Sequence, residues 1–125
     1  MLNTRSSNLT LEAEKSLWWI PITYTSKTRL NFNETKPSHW MKAQQSLVIE
    51  DGLPLSDWII VNLQQTGYFR VNYDVNNWKL IQRHLNDEKR FTEIVPPNRA
   101  QIIVCVYSII IQFFLLYQHF YRTMH

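Results

Sequence analysis

Residues 58–74 read WIIVNLQQTGYFRVNYD, and the fold of the chain turns on how this stretch is read. Two β-rich runs, residues 58–63 and 68–73, flank the polar segment 64–67. In the second run Phe69, Val71 and Tyr73 alternate with Arg70 and Asn72, the period-two pattern of a strand with one face buried. Gly67 can supply the positive φ that a short connection needs, so the spacing predicts an antiparallel hairpin.

Upstream, residues 17–24 (LWWIPITY) place Trp18, Ile20, Ile22 and Tyr24 on one face of a further strand. Pro21 carries no amide hydrogen, which confines that strand to a sheet edge or a bulge. Residues 25–37 read as a connection holding at most a short strand. Residues 40–50 become apolar at Leu47, Val48 and Ile49, which predicts one more strand before the turn Asp51-Gly52-Leu53-Pro54. Downstream the period changes to that of a helix. Asp74 is the expected N-cap, with Trp78, Ile81 and Leu85 on one face and Lys79, Gln82, Arg83 and Asn86 on the other up to about Asp87. A second helix is expected after Pro96-Pro97, with Asn98 at or near its cap.

The whole chain is 125 residues, 45% hydrophobic and 14% aromatic, which fits one modest domain and excludes both a large enzyme and a disordered tail. Its net charge of +3 comes from 13 scattered basic and 10 acidic residues, so no cationic track for nucleic acid exists. Cys105, the single cysteine, excludes an internal disulfide or a cysteine-based zinc module. Residues 1–10 are polar, and no signal peptide is visible on the chain as given.

The residues offer no catalytic constellation. His39, His84, His119 and His125 include no pair three or four apart, and H-E-x-x-H is absent. His84 is expected to be a partly exposed surface residue of its helix, and His39 a structural histidine beside a buried Trp40. Gly52 and Gly67 are too few for a phosphate loop, no G-x-S-x-G elbow occurs, and Glu50-Asp51 is expected simply to face water at its turn. The expected catalytic, metal and substrate-binding residues are therefore none. Two sequons, Asn8-Leu9-Thr10 and Asn33-Glu34-Thr35, fall in polar connections and make Asn8 and Asn33 candidate N-glycosylation sites.

Residues 58–74, followed by Asn77-Trp78 and then Asn98-Arg99-Ala100-Gln101, resemble a run found in aminopeptidase N-like zinc metallopeptidases. That family carries W-x-x-x-N-x-Q-x-x-G-Y-[YF]-R-V-N-Y-D, then N-W, then N-R-A-Q. This chain matches at Trp58, Asn62, Gln64, Gly67, Tyr68, Phe69, Arg70, Val71, Asn72, Tyr73 and Asp74. Residues 17–24 and Thr35-Lys36-Pro37 are similar to insect-type members. The resemblance implies a partial antiparallel β-sandwich (16–74) followed by the start of a helical domain (75–103), a mixed β-then-α fold. It implies a brace for the catalytic domain, on the extracellular face of the plasma membrane or in the secretory pathway, with peptides trimmed only by the full-length enzyme. The family's zinc-binding H-E-x-x-H and its G-x-M-E-N substrate clamp are both absent here. The expectation is a non-catalytic fragment with no cofactor of its own, zinc belonging to the parent enzyme. Its partners would be the catalytic and helical domains of that enzyme, with no nucleic acid. The rival expectation, from a different class, is a stand-alone binding or membrane-anchored module.

Two departures accompany the match. Residues 1–15 are too polar to be expected to replace the strands that precede this point in the family. After Ile103 the family's acidic, alanine-rich helix gives way to a tail, residues 104–125, whose one fully charged side chain is Arg122. Residues 102–117 span about 24 Å as a helix and residues 100–121 about 33 Å, against a hydrocarbon core of about 30 Å. A membrane contact through residues 102–121, a buried variant helix, and translation of unspliced or frameshifted sequence are the three readings of this tail.

Overall fold

The computed structural model describes residues 2–4, 9–13, 18–43 and 46–124. The candidate Asn8, the start of the strand expected from residue 17, and His125 lie outside the described residues. Eight short strands come first: β1 (Leu2–Thr4), β2 (Leu9–Ala13), β3 (Ile20–Ile22), β4 (Tyr24–Ser26), β5 (His39–Met41), β6 (Ser46–Ile49), β7 (Ile59–Val61) and β8 (Val71–Tyr73). Two helices follow, α1 (Val75–Leu85) and α2 (Pro96–Met124). The fold is mixed, β then α, ending in a long apolar helix. The strands form a four-stranded sheet in the order β6-β2-β1-β8 and two small pairs, β3-β5 and β4-β7. Every pairing is antiparallel except β1 with β8, which is parallel.

The expected hairpin does not form. β7 pairs with β4 in the register Thr25↔Ile60, while β8 pairs with β1. The reason lies in the connection. Asn62, Gln64 and Gln65 all take left-handed φ values, 64°, 53° and 56°, which fold residues 63–65 into a short 3-10 turn and carry the chain away from β7. Gly67 does not supply the positive φ. It is required for close approach instead: a Cβ there would collide with the Phe69 ring and lie 3.1 Å from Asn62 Oδ1.

Other elements also depart from expectation. Within the stretch read as too polar to replace the family's preceding strands, residues 2–4 and 9–13 form β1 and β2, and pairing with β8 and β6 supplies hydrogen bonds that low hydrophobicity does not forbid. The strand expected over residues 17–24 is broken in two, with Trp18 exposed, and Pro21 sits in the isolated β3-β5 pair as an edge position allows. The strand expected over residues 40–50 is likewise split between β5 and β6.

The core gathers Ile22, Met41, Trp58, Ile60, Leu63 and Val71, all nearly or wholly inaccessible, against Ile81 of α1 and Ile94 and Ile102 around the start of α2. Helix α1 is capped as expected, Asp74 accepting from the Asn77 amide at 2.9 Å. Asn98 is not a cap. Pro96 already opens α2, and the Asn98 side chain, fully buried, reaches out of the helix. Helix α2 passes residue 103 without interruption, keeps Val106, Ile109 and Ile110 beside Trp78, Ile81 and Leu85 of α1, and is exposed at every side chain from Ile110 to Arg122.

Candidate functional site: a side-chain substitute for a missing strand

A strand offers hydrogen-bonding groups to both sides, and β7 has a partner strand on one only. On the β4 side, Asn62 N donates to Thr23 O at 2.8 Å and Lys27 N to Trp58 O at 3.2 Å, bracketing the Thr25↔Ile60 pair. Ile59 and Val61 therefore point their amides and carbonyls the other way, into the protein interior, where both residues are buried. Three side chains meet them. Asn77 Oδ1 accepts from Ile59 N and Asn77 Nδ2 donates to Ile59 O, each at 2.8 Å. The Tyr73 hydroxyl accepts from Val61 N at 3.1 Å, and Gln101 Nε2 donates to Val61 O at 3.3 Å. An amide side chain copies the donor-acceptor face of a peptide, so Asn77 acts as one residue of the absent strand.

The same logic extends along the turn. Asn98 Oδ1 accepts from Gln64 N at 2.8 Å, while its Nδ2 donates to Asn62 O at 3.1 Å and to Gln101 Oε1 at 2.7 Å. Asn62 Oδ1 accepts from Gly67 N at 2.8 Å, and its Nδ2 donates to Gly67 O at 2.9 Å and Phe69 O at 3.2 Å. Leu63 N donates to Thr23 Oγ1 at 2.9 Å, and Gln64 Nε2 to Phe32 O at 2.9 Å. Left-handed glutamines cost of order 1–3 kcal/mol each, and this network is what holds them there. The residues singled out by their pattern in the sequence, Asn62, Gln64, Gly67, Tyr73, Asp74, Asn77, Asn98 and Gln101, are thus brought together; every side chain among them bonds backbone groups, and Gly67 offers its own N–H and C=O to Asn62. Periodicity could not reveal this, because the bonds join positions up to 40 apart.

Of the titratable groups with shifted pKa values, Tyr73 lies within this network, and His84, Asp51 and Tyr24 lie outside it. Burial pushes the Tyr73 hydroxyl well above the usual tyrosine range, so it stays neutral as an acceptor for Val61. His84, expected at the surface, is buried. Its ring packs edge-on against Trp58 with centroids 5.0 Å apart, and its Nε2 lies 3.1 Å from Glu93 Oε2. Burial lowers its pKa, and Glu93 opposes that shift in part. His39 is exposed, with Nδ1 3.1 Å from Ser38 Oγ, and Trp40 beside it is exposed rather than buried because the β3-β5 pair leaves that face uncovered. Asp51 does not merely face water: Tyr24 donates to it at 2.6 Å and Arg29 at 2.7 Å, and these bonds hold its carboxyl below the usual range. The same tie, after burial, raises the Tyr24 hydroxyl.

A zinc site needs three or four converging donors. Among the described residues no three His, Cys, Asp or Glu side chains converge, so these residues do not fit a zinc ion. Asn33 is exposed in a bend, its amide donating to Asn31 Oδ1 at 3.0 Å, a position open to modification.

No family model matches the chain. Among curated proteins it is similar to aminopeptidase N of Plutella xylostella, 39% identical over 94 residues that make up 74% of this chain and 10% of the relative. It is 43% identical over 93 residues to membrane alanyl aminopeptidase of Manduca sexta, covering 74% of this chain and 9% of the relative. Human aminopeptidase N is 36% identical over 101 residues, 78% of this chain and 9% of the relative. The chain spans about a tenth of the length of the curated relatives it matches.

Proposed function

From the premise that this chain is related, over about three quarters of its length, to one segment of aminopeptidase N, we propose that it is a non-catalytic brace from such an enzyme. In this reading residues 16–74 form part of a β-sandwich and residues 75–103 begin a helical domain. The tail of residues 104–125 is set apart, where it is exposed from Ile110 to Arg122, by its apolar chemistry and not by a break in α2. The observation that supports the reading is the use made of the motif. Asn77, Tyr73 and Gln101 complete the inner edge of β7, and Asn98 ties the start of α2 to the turn after it. A strand edge completed from two helices resists relative movement of strand and helices, which is what a spacer between moving parts of an enzyme must do.

Zinc, the general base and the clamp for the peptide's amino terminus would sit in other parts of the enzyme, as would the pocket that selects the residue removed. Peptides are then substrates of the assembled enzyme only, with this segment packed between its catalytic and helical parts. The extracellular face of the membrane, or the secretory pathway, is the location that goes with it.

The test is direct. The purified chain, supplied with Zn²⁺, is assayed against alanyl and leucyl chromogenic substrates before and after addition of a chelator. The expected result is no release above the buffer rate under either condition. Turnover that the chelator abolishes would overturn the reading.

A further inference from the structure

From Ile110 to Arg122 every side chain of helix α2 is exposed. Phe113, Phe114, Leu115, Leu116 and Tyr117 are consecutive and each is at least 60% exposed. At about 100° per residue, five consecutive positions complete a turn. The uncovered apolar surface therefore encircles the helix instead of lining one side of it.

That geometry decides what can cover it. A groove on another protein, or the same helix of a second copy, buries one face and leaves the opposite one wet. An amphipathic helix lying flat on a membrane needs a broad polar face, and here Ser108, Gln112, His119 and Arg122 make only a narrow stripe that Leu115 interrupts. A surrounding apolar solvent meets the requirement on all sides. The 18 most apolar consecutive residues within Pro96–Arg122 have a mean hydropathy of 2.1 with 17% of them buried, unlike a core helix of similar composition.

The ends agree. Residues 106–122, whose first turn still lies beside Trp78 and Leu85 of α1, extend about 25 Å, against a hydrocarbon core of about 30 Å. Arg70 reaches the near end, donating to Ser108 Oγ at 3.0 Å, and Arg122 stands at the far end. Long cationic side chains extend to the headgroups from such positions and make up a few ångströms of mismatch. Tyr117, Phe120 and Tyr121 cluster in the last turns, with Tyr117 and Tyr121 stacked at 6.3 Å, the placement of an interfacial aromatic belt. The Ser108 hydroxyl also donates to Val104 O at 2.9 Å, so its polarity is met within the helix.

We infer that residues 106–122 insert into a lipid bilayer as a single helix, holding the sheet and α1 against the headgroups with Arg70 at the boundary. This inference rests on the helix alone. Its failure would leave the brace reading standing, and catalysis by the chain would leave it untouched.

The test uses the full chain, made in a cell-free system with and without vesicles of neutral phosphatidylcholine, which removes any general attraction of a +3 protein to anionic lipid. Vesicles are floated and then washed with alkaline carbonate. The chain is expected to float and to survive the wash. A double variant, Ile111→Arg with Leu115→Arg, alters two outward-facing residues and is expected to lower the carbonate-resistant fraction at least about 50-fold. Four results would each overturn the inference: a chain that stays in the aqueous fraction as a monomer or defined dimer, one that sediments as aggregate despite the vesicles, one released by carbonate, or a double variant retained as well as the parent.

Discussion

Replacing Asn77 with Ala should come close to unfolding the chain, although no charge, cap residue or large apolar group is lost. Asn77 is 1% exposed and its amide holds both the N–H and the C=O of Ile59 at 2.8 Å. Alanine leaves two buried backbone groups without partners, at about 1–3 kcal/mol each, so the expected loss is about 2–6 kcal/mol. A loss near 3 kcal/mol changes the unfolding constant by roughly 150-fold, against a total stability of about 5 kcal/mol for a small domain. Asn77→Asp separates the hydrogen bonds from shape. The ionised carboxylate still accepts from Ile59 N but faces Ile59 O with no donor, and it is buried, so at neutral pH this variant should be at least as unstable as the alanine. Protonation restores a donor, and stability should rise again on acidification. The assay is urea unfolding of the full chain in mild non-ionic detergent, followed by the fluorescence of buried Trp58, at several pH values. An Asn77→Ala midpoint equal to that of the parent, or an Asn77→Asp variant with no recovery at low pH, would refute the reasoning.

Two further outcomes follow from single residues. His84 has a lowered pKa because it is buried, so the unfolded chain takes up its proton first as pH falls. The contribution of the neutral ring is complete above the unfolded value of 6.5 and is lost as pH drops below it toward the folded value. Urea midpoints of the parent should decline through that window and those of His84→Gln should decline less; parallel curves would count against the assignment. Asn33, exposed within its sequon, should receive a glycan when the chain is directed into microsomes behind a secretion signal, seen as a mobility shift that Asn33→Gln removes. A shift unchanged in that variant would place the glycan elsewhere.

The helices were legible because their signals are local. Asp74 as a cap and Trp78, Ile81 and Leu85 along one face fall within a few residues of each other, and α1 appears where they place it. The class of the fold, strands and then helices, followed from the change of period at residue 74. The hairpin was not legible. Alternation around a Gly-containing turn is the usual sign of one, but here Asn62 and two glutamines adopt left-handed backbone, a choice fixed by Asn98 from 34 residues away. The buried state of His84 depends on Trp58 and Glu93, neither within its own helix. The motif residues could be singled out by pattern, yet their role could not, because it is defined by which backbone groups β7 leaves unpaired in three dimensions.

The central claim is that side chains stand in for a strand along β7, and amide hydrogen exchange reads it at the two positions concerned. In the full chain in mild detergent, the Ile59 and Val61 amides are predicted to exchange as slowly as those of Ile60 and Asn62 on the β4 side. Tyr73→Phe should release Val61 selectively and Asn77→Ala should release Ile59. Fast exchange at Ile59 and Val61 in the unaltered chain would contradict the account.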